Sequence, residues 1–453
     1  MSAEDREELL ALLERVAGQA TGEESIEAYG LDSTETTVRA FGGEVESLSS
    51  ARSRGVAIRV LRDARIGFAY TADLSEEGLR LALSDARENR AAASPDDANC
   101  LPGAGDAGDL PELDAPGFAA VPPARKVELA LALEAAARGA GGEVKGVDSA
   151  VYADAITTAA IVSTSGIRAA YRRTDAYVFT EVLAERDGAA TAAYGLDAAR
   201  HPDGLDVEAA AAEGARRATR LLGARKPDSR KLPIVLDPFA TASLLGVLAG
   251  ALSAEAAQKG RSMFAGRVGE RVGSERVTLV DDGRLLDGPA AAPWDGEGVP
   301  TGRTPLIERG ELRGFLHNTY TAAREGARST GNASRSGFMS PPGLAPTNLF
   351  LEPGELDEAA LLAEAGEAFY VQQIMGVHSG ANAISGDISV GAAGLMVRGG
   401  ALAEPVREAT IGGSIPALLE GLREVGSELR FLPFGGGMGG ALLLVDGFTL
   451  AGS

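Results

Sequence analysis

Predicted strands follow one another along much of this chain without a helix between them. Within residues 25–70, two alternating segments flank Gly42-Gly43, a pair that favours the tight turn of a β-hairpin. The next segment alternates in the same way around a turn near Asp63-Ala64. Because strands and helices do not alternate as they do in βαβ units, the order of elements argues against a doubly wound sheet and predicts an α+β fold.

The chain is long enough for two domains. At 453 residues it exceeds what a single hydrophobic core usually serves. The basic, proline-containing stretch GARKPDSRKLP marks a boundary near residue 226. We therefore predict an N-terminal domain of sheet and long helices over residues 1–225, and a Gly-rich, mostly β domain over residues 226–453.

Charge and composition exclude several classes of partner and cellular location for this chain. The net charge is −21, and an acidic surface repels phosphate backbones, so no nucleic-acid partner is expected. The apolar runs are too short for a membrane span, and the acidic, amphipathic start does not resemble a signal peptide. Cys100 is the single cysteine, which fits a reducing compartment. These features together predict a cytoplasmic protein.

The sequence offers few metal ligands. His201, His317 and His378 are the only histidines, and no two lie one helical turn apart as in an HExxH zinc site. We therefore expect no metal bound by this chain and assign no catalytic residue.

A cluster of small polar residues is a candidate binding loop. Thr330, Gly331 and Asn332 follow Ser329, and Arg335 lies close behind. Such a loop can hold a peptide backbone or carboxylate, and it can equally be a capped turn.

Several ordered segments resemble the TldD/PmbA family. They are LVDDGRLLDG, then DGEGVPTGRTPLIERGELRGFLHNTYTAAREGARSTGNASR, then ISGDISVGAAGLMVRGGALAEPVREATIGGSI, and the C-terminal VDGFTLAGS. The resemblance spans essentially the whole chain, more loosely in the N-terminal half.

The resemblance also implies a branch of that family. TldD-type chains carry a HExxxH zinc motif and a further Cys ligand, which TldE/PmbA-type chains lack. Here Leu245 and Gly250 occupy the two histidine places and Gly246 the glutamate place, while the cysteine would fall at Pro433 or Phe434. The resemblance therefore implies a TldE/PmbA-type chain without zinc ligands, with zinc on a TldD-type partner.

What the family implies for function follows from that branch. It implies dimers enclosing a chamber that admits unstructured peptides, formed with a TldD-type zinc peptidase subunit or with a second copy of the chain. Two alternatives stay open: a homodimeric peptide-tailoring hydrolase working through the surroundings of His378, and a non-catalytic peptide-binding or regulatory protein. By their position in the family segments, the candidate peptide contacts are Thr330, Gly331, Asn332, Arg335, His378 and Asn382.

Overall fold

The structure is a computed structural model that describes residues 3–106, 108, 110, 113–432 and 436–452. Strands account for 41% and helices for 25% of the chain, spread over several sheets, which confirms the predicted α+β class. Pro433 and Phe434, the residues at the expected cysteine place, lie outside the described residues.

One antiparallel sheet organises the first part of the chain. Its strands lie in the order β3-β2-β1-β4-β5-β6. Short 3-10 turns lie at residues 118–120 and 202–204. The elements are α1 (Ala3–Ala17), β1 (Ser25–Phe41), β2 (Glu44–Arg62), β3 (Arg65–Thr71), α2 (Glu76–Ala92), α3 (Pro123–Gly139), β4 (Val144–Ser163), β5 (Arg168–Arg186), β6 (Ala189–Ala199) and α4 (Val207–Thr219).

The predicted hairpin joins β1 to β2. Gly42 and Gly43 have φ angles of 69° and 83°, a left-handed conformation that glycine adopts without strain. The carboxylate of Glu134 in α3 accepts hydrogen bonds from both turn N–H groups, from Gly42 at 2.7 Å and from Gly43 at 2.9 Å. The turn is therefore held by a helix as well as by its own backbone preference.

The helices cover one face of this sheet. Val38, Tyr152 and Val178 belong to a core shared with α3 and α4, and a second core packs α1 and α2 against β1 and β2. Glycine permits the closest approach, because a Cβ on Gly195 of β6 would lie 2.0 Å from the Ala210 carbonyl oxygen of α4. The opposite face of the sheet carries polar and aromatic residues and is turned toward the second part of the chain.

Short strands and turns dominate the second part. Its elements are β7 (Arg230–Lys231), β8 (Ile234–Leu236), α5 (Pro238–Ala251), α6 (Ala254–Gln258), β9 (Leu279–Asp282), β10 (Arg303–Glu308), β11 (Glu311–Leu312), α7 (Thr319–Glu325), β12 (Ala333–Ser334), β13 (Gly343–Leu344), β14 (Asn348–Leu351), α8 (Glu358–Ala365), β15 (Ala368–Met375), α9 (Val377–Gly380), β16 (Asp387–Arg398), β17 (Ala401–Ser414), α10 (Ile415–Gly421), β18 (Leu422–Val425), β19 (Arg430–Phe431), β20 (Gly437–Gly440), β21 (Leu443–Val445) and β22 (Thr449–Gly452).

Two sheets and α5 enclose the core of the second part. One sheet has the order β18-β21-β8-β15-β16-β17-β22-β7 and the other β11-β10-β9-β14-β20-β19. Leu236, Leu248 and Leu349, from β8, α5 and β14, belong to one buried apolar cluster. The division at residue 226 stays a prediction. Among the described residues, no helix combines the length and apolarity that crossing a membrane requires.

The contact between β6 and α4 gives a stability prediction. We expect Gly195→Ala to lower the free energy of unfolding by about 1–3 kcal/mol, since its methyl group would meet helix backbone. Urea unfolding followed by circular dichroism measures this. Gly146→Ala in β4 is the matched control, because the nearest atom to its Cβ would be Leu183 Cδ1 at 3.7 Å. Equal losses for both variants would contradict the packing argument.

Candidate functional site: a cleft along the first sheet

The alternation of β5 creates a polar surface on the side of the sheet without helices. Val178 and Val182 point into the helix-covered core. Successive side chains of a strand point to opposite faces, so Tyr171, Arg173 and Tyr177 point the other way. We call this surface, together with the residues of the second part that face it, the cleft.

Three cavities lie along the cleft, each lined by both parts of the chain. The first encloses about 270 Å³ beside Tyr29, Tyr171, Trp294 and Arg335. The second encloses about 730 Å³ and shares Arg173 with the first. The third, of about 280 Å³, is lined by Tyr194 of β6, by Phe239 and Ser243 of α5, and by Gln373 and Met375 of β15. The cleft therefore runs from the 295–335 region to the exposed side of α5.

A buried ion-pair network closes the first end of the cleft. The Arg59 Nε donates to Glu27 Oε1 at 2.8 Å, and Arg59 Nη1 donates to Glu297 Oε1 at 2.9 Å. Arg335 Nη2 donates to the same Glu27 oxygen at 2.5 Å, and its guanidinium lies 4.6 Å from the ring centre of Tyr29. Two arginines and two glutamates thus neutralise one another between β1, β2 and the second part.

Two neighbouring carboxyl groups in this region have opposite pKa shifts. Burial, reinforced by the charge of Glu297, raises the pKa of Asp295 to about 7. Burial also opposes ionisation of Glu297, but Arg59 and a hydrogen bond from the backbone N–H of Thr319 outweigh it and lower the pKa of Glu297. Asp295 lines the first cavity, so a group that can exchange a proton near neutral pH faces the cleft.

Most side chains of the predicted binding loop form hydrogen bonds within the protein. Asn332 is 1% exposed, and its Nδ2 donates to Asp281 Oδ2 at 2.6 Å. Thr330 Oγ1 donates to Asn332 Oδ1 at 2.6 Å. Gly331 has a φ of 76°, and a Cβ there would lie 2.5 Å from the Pro300 carbonyl oxygen. Of the four residues predicted in this loop, Arg335 is the one that lines a cavity.

The other two predicted residues lie in the segment that joins β15 to β16. His378 is exposed on the short helix α9, and Asn382 follows in an exposed turn. The Asn382 Oδ1 accepts from the N–H groups of Ile384 at 2.8 Å and Ser385 at 3.2 Å, which shapes the turn. A Cβ on Gly250 would lie 3.7 Å from Ala383, so this turn approaches α5. His378 and Asn382 follow Met375, which lines the third cavity at the α5 end of the cleft, whereas Arg335 lines the first cavity at the other end.

The α5 segment does not fit a metal. Leu245 is buried in the core, Gly246 faces open space, and neither these residues nor Gly250 has a side-chain donor atom. In the part of the chain that the structure describes, no three His, Cys, Asp or Glu side chains group in a way that could hold a metal ion.

Reasoning from sequence missed the residues that line the first and second cavities. Tyr29 comes from β1, Arg173 from β5 and Asp295 from a turn of the second part, so their proximity depends on tertiary structure. The available signal was the alternation in β5, where Tyr171, Arg173, Asp175 and Tyr177 follow one another at every second position.

Comparison with known proteins places this architecture in a family. Profiles of the PmbA/TldA metallopeptidase domains match residues 26–90 (domain 1), 116–222 (central domain) and 229–452 (C-terminal domain). The metalloprotease PmbA of Escherichia coli O157:H7 is 28% identical over 425 residues, covering 92% of this chain and 90% of that protein. The chain belongs to the TldD/PmbA family of metallopeptidase-like proteins.

Solved structures share the whole fold. A proposed modulator of a DNA gyrase from Thermotoga maritima superimposes with a TM-score of 0.88 at 27% identity, covering 99% of this chain and 100% of that one. TldE from Thermococcus kodakarensis superimposes with a TM-score of 0.86 at 24% identity, covering 98% and 99%. At 24% identity, the similarity to TldE shows a shared fold only.

The buried network gives a second stability prediction. Glu27→Gln removes the charge that balances Arg59 and Arg335, and breaking a buried ion pair typically costs about 3–5 kcal/mol. We expect a loss of that order in the free energy of unfolding, measured by urea titration. Glu77→Gln is the matched control, because the Glu77–Arg80 pair is exposed and its loss should leave the unfolding midpoint unchanged. A midpoint for Glu27→Gln equal to the control's would contradict the role of the network.

Asp295 gives a pH-dependent prediction. An unfolded Asp ionises near pH 3.9, whereas the pKa of folded Asp295 is about 7. The folded protein therefore binds the proton more tightly than the unfolded chain, and the wild type loses this contribution as pH rises from about 4 to 7. Asp295→Asn cannot ionise, so its stability relative to the wild type should increase over that range and level off above it. Unfolding titrations between pH 4 and 8 measure the difference, and a constant difference would contradict the shift.

Proposed function

We propose that this chain is a TldE/PmbA-type subunit of a TldD/TldE-type metallopeptidase complex that cleaves unstructured peptides. In this proposal a TldD-type partner holds the zinc ion, which activates water for attack on the peptide carbonyl. This chain contributes half of the chamber. The single cysteine, Cys100, supports a reducing, cytoplasmic setting.

One observation carries the assignment to the zinc-free branch. Leu245, Gly246 and Gly250 stand on α5 at the places where the resemblance puts the two histidines and the glutamate of the zinc motif. A leucine and two glycines supply neither a metal ligand nor a general base. The chain keeps the fold across its full length while lacking those side chains, as a subunit that relies on a partner's metal would.

The shape of the cleft supports a peptide ligand. Cavities of about 270, 730 and 280 Å³ in a row accommodate side chains of an extended segment and are too small for a folded domain. Their linings mix aromatic rings with charged groups, for example Tyr177 with Arg430 in the second cavity. Such a surface can bind peptides of many different sequences.

The six predicted contacts then divide into two roles. Arg335 contributes to the wall of the cleft, and His378 and Asn382 are exposed next to α5, where a peptide can touch them. Thr330, Gly331 and Asn332 act by holding the loop that positions Arg335, since Asn332 is bonded to buried Asp281.

Reconstitution tests the proposal. An unstructured peptide is incubated with this chain alone, with a zinc-bearing TldD-type relative alone, and with the two mixed, each with and without a chelator. We expect the mixture to cleave more than either chain alone and to lose that activity with the chelator. Cleavage by this chain alone would overturn the proposal.

A variant separates the subunit role from catalysis by the chain itself. His378→Ala in the mixture should raise KM and leave kcat nearly unchanged, because His378 contacts peptide without taking part in bond cleavage. Loss of kcat would point instead to a hydrolase that works through His378. Asn99→Ala at a distant loop provides the control substitution, since Asn99 Nδ2 donates to the Ala64 carbonyl oxygen at 2.9 Å, outside the cleft linings.

A further inference from the structure

Arg173 of β5 stands where the first and second cavities meet. It lines both cavities, and its side chain is 26% exposed. Asp175 Oδ2 lies 2.8 Å from Arg173 Nε. Among the residues that the structure describes, no group bonds either Nη atom of Arg173. The N–H donors of both Nη atoms are therefore available to a ligand in the cleft.

The groups bonded to Arg173 leave an excess of positive charge at this place. Asp175 is shared between two arginines, because its Oδ1 accepts a hydrogen bond from Arg200 Nη1. Arg200 Nη2 is engaged as well, donating to the carbonyl oxygens of Gly288 at 2.7 Å and Leu286 at 3.1 Å. Two guanidinium groups thus share one carboxylate, and Arg173 is the one of the two whose Nη donors can bind a further anion.

An anion on Arg173 meets less negative charge in the first cavity than in the second. Among the described residues that line the first cavity, Asp295 is the single acid. Its carboxyl oxygens accept hydrogen bonds from three backbone N–H groups, and burial raises the pKa of Asp295 to about 7, so part of it is neutral near pH 7. The second cavity has a more acidic lining, with Glu35, Asp154, Asp175, Asp197 and Asp287.

The first cavity also offers apolar walls beside Arg173. Tyr29, Tyr171 and Trp294 supply aromatic rings, and alanines make up much of the remaining lining. A volume of about 270 Å³ suffices for one side chain of a peptide. Arg335, on the far wall, is already bonded to Glu27 and to a backbone carbonyl oxygen within the buried network. The first cavity therefore suits the last residue of a peptide that lies along β5.

We propose that Arg173 binds the C-terminal carboxylate of a peptide in the cleft, while the side chain of the peptide's last residue occupies the first cavity. A guanidinium matches a carboxylate with two parallel hydrogen bonds. Every unblocked peptide carries this group whatever its sequence, which agrees with a cleft that binds many different sequences. The inference rests on the proposed function in taking a peptide as the ligand, and it adds the end of the peptide that is recognised.

Changing the peptide tests this on the unaltered full-length chain. The probe is an acetylated hexapeptide of alanine and serine that ends in leucine. It is prepared as the free acid, as the C-terminal amide, and as an amide with glutamate in place of one serine. Isothermal titration calorimetry gives each Kd. We expect the amide to bind about tenfold to a hundredfold more weakly than the acid, the range for a hydrogen bond to a charged group, and the glutamate amide to bind no better than the plain amide.

Fluorescence shows where the peptide binds. Trp294 is the only tryptophan of the chain and lines the first cavity, and the probe contains none. The free acid should therefore change the emission of Trp294 over the same concentrations at which calorimetry detects binding.

Arg173→Gln tests whether this arginine is the group that binds the carboxylate. Arg200 still neutralises Asp175 in the variant, so it should fold, which thermal melting checks. The variant should bind the acid and the amide equally, both as weakly as the wild type binds the amide. Arg186→Gln is the matched control, because it removes the same charge from an exposed position of β5 paired with Glu143, and it should keep the preference for the acid.

Four results would each overturn the proposal: equal binding of acid and amide by the wild type, a glutamate amide that binds as well as the acid, binding without a change in Trp294 emission, or no binding at all. A preference for the acid that survives in a folded Arg173→Gln would overturn it too. The titrations use no zinc-bearing partner and follow no cleavage. Their outcome is therefore separate from that of the reconstitution that tests the proposed function.

Discussion

The pairing of Arg59 with carboxylates from both parts of the chain fixes how those parts meet. Its guanidinium bonds Glu27 of the first sheet and Glu297 of the second part, and all three side chains are nearly excluded from solvent. Buried charges are costly unless each is matched, and here Arg335 completes the balance by bonding Glu27. Separating the two parts would therefore break the Arg59–Glu297 and Arg335–Glu27 ion pairs and leave these charges without their partners.

The cleft depends on that docking. The network joins the two parts at one end of the first sheet, and the cavities that both parts line follow β5 from there. Burial in the same region also raises the pKa of Asp295. Burial is the main cause of this rise, and the charge of Glu297, which Arg59 keeps ionised two residues away, adds to it.

Local patterns in the sequence predicted local structure well. The Gly42-Gly43 turn, the alternating strands around it and the α+β class depend on backbone preference and side-chain period, and the structure has them. The network could not be predicted in this way, since Arg59 and Glu297 are 238 residues apart and Glu27 and Arg335 are 308 apart. Composition alone also could not predict that the side chain of Asn332 points inward and bonds Asp281. The amide of an asparagine can bond a peptide or a neighbouring residue of its own chain, and the sequence does not distinguish the two.

The glycines of α5 are harder to explain from this chain alone. A glycine inside a helix costs about 1 kcal/mol relative to alanine. At Gly246 a Cβ would meet nothing within 4 Å, and at Gly250 it would make an ordinary contact at 3.7 Å, so neither position needs a glycine for packing within the chain. Gly250 lies beside the turn that contains Ala383, and Gly246 faces open space. An unshielded helix backbone is useful where another backbone passes closely, and the proposed peptide or partner subunit would supply one at this end of the cleft. Under the proposed function, these glycines make α5 an accessible surface for the peptide or the partner subunit.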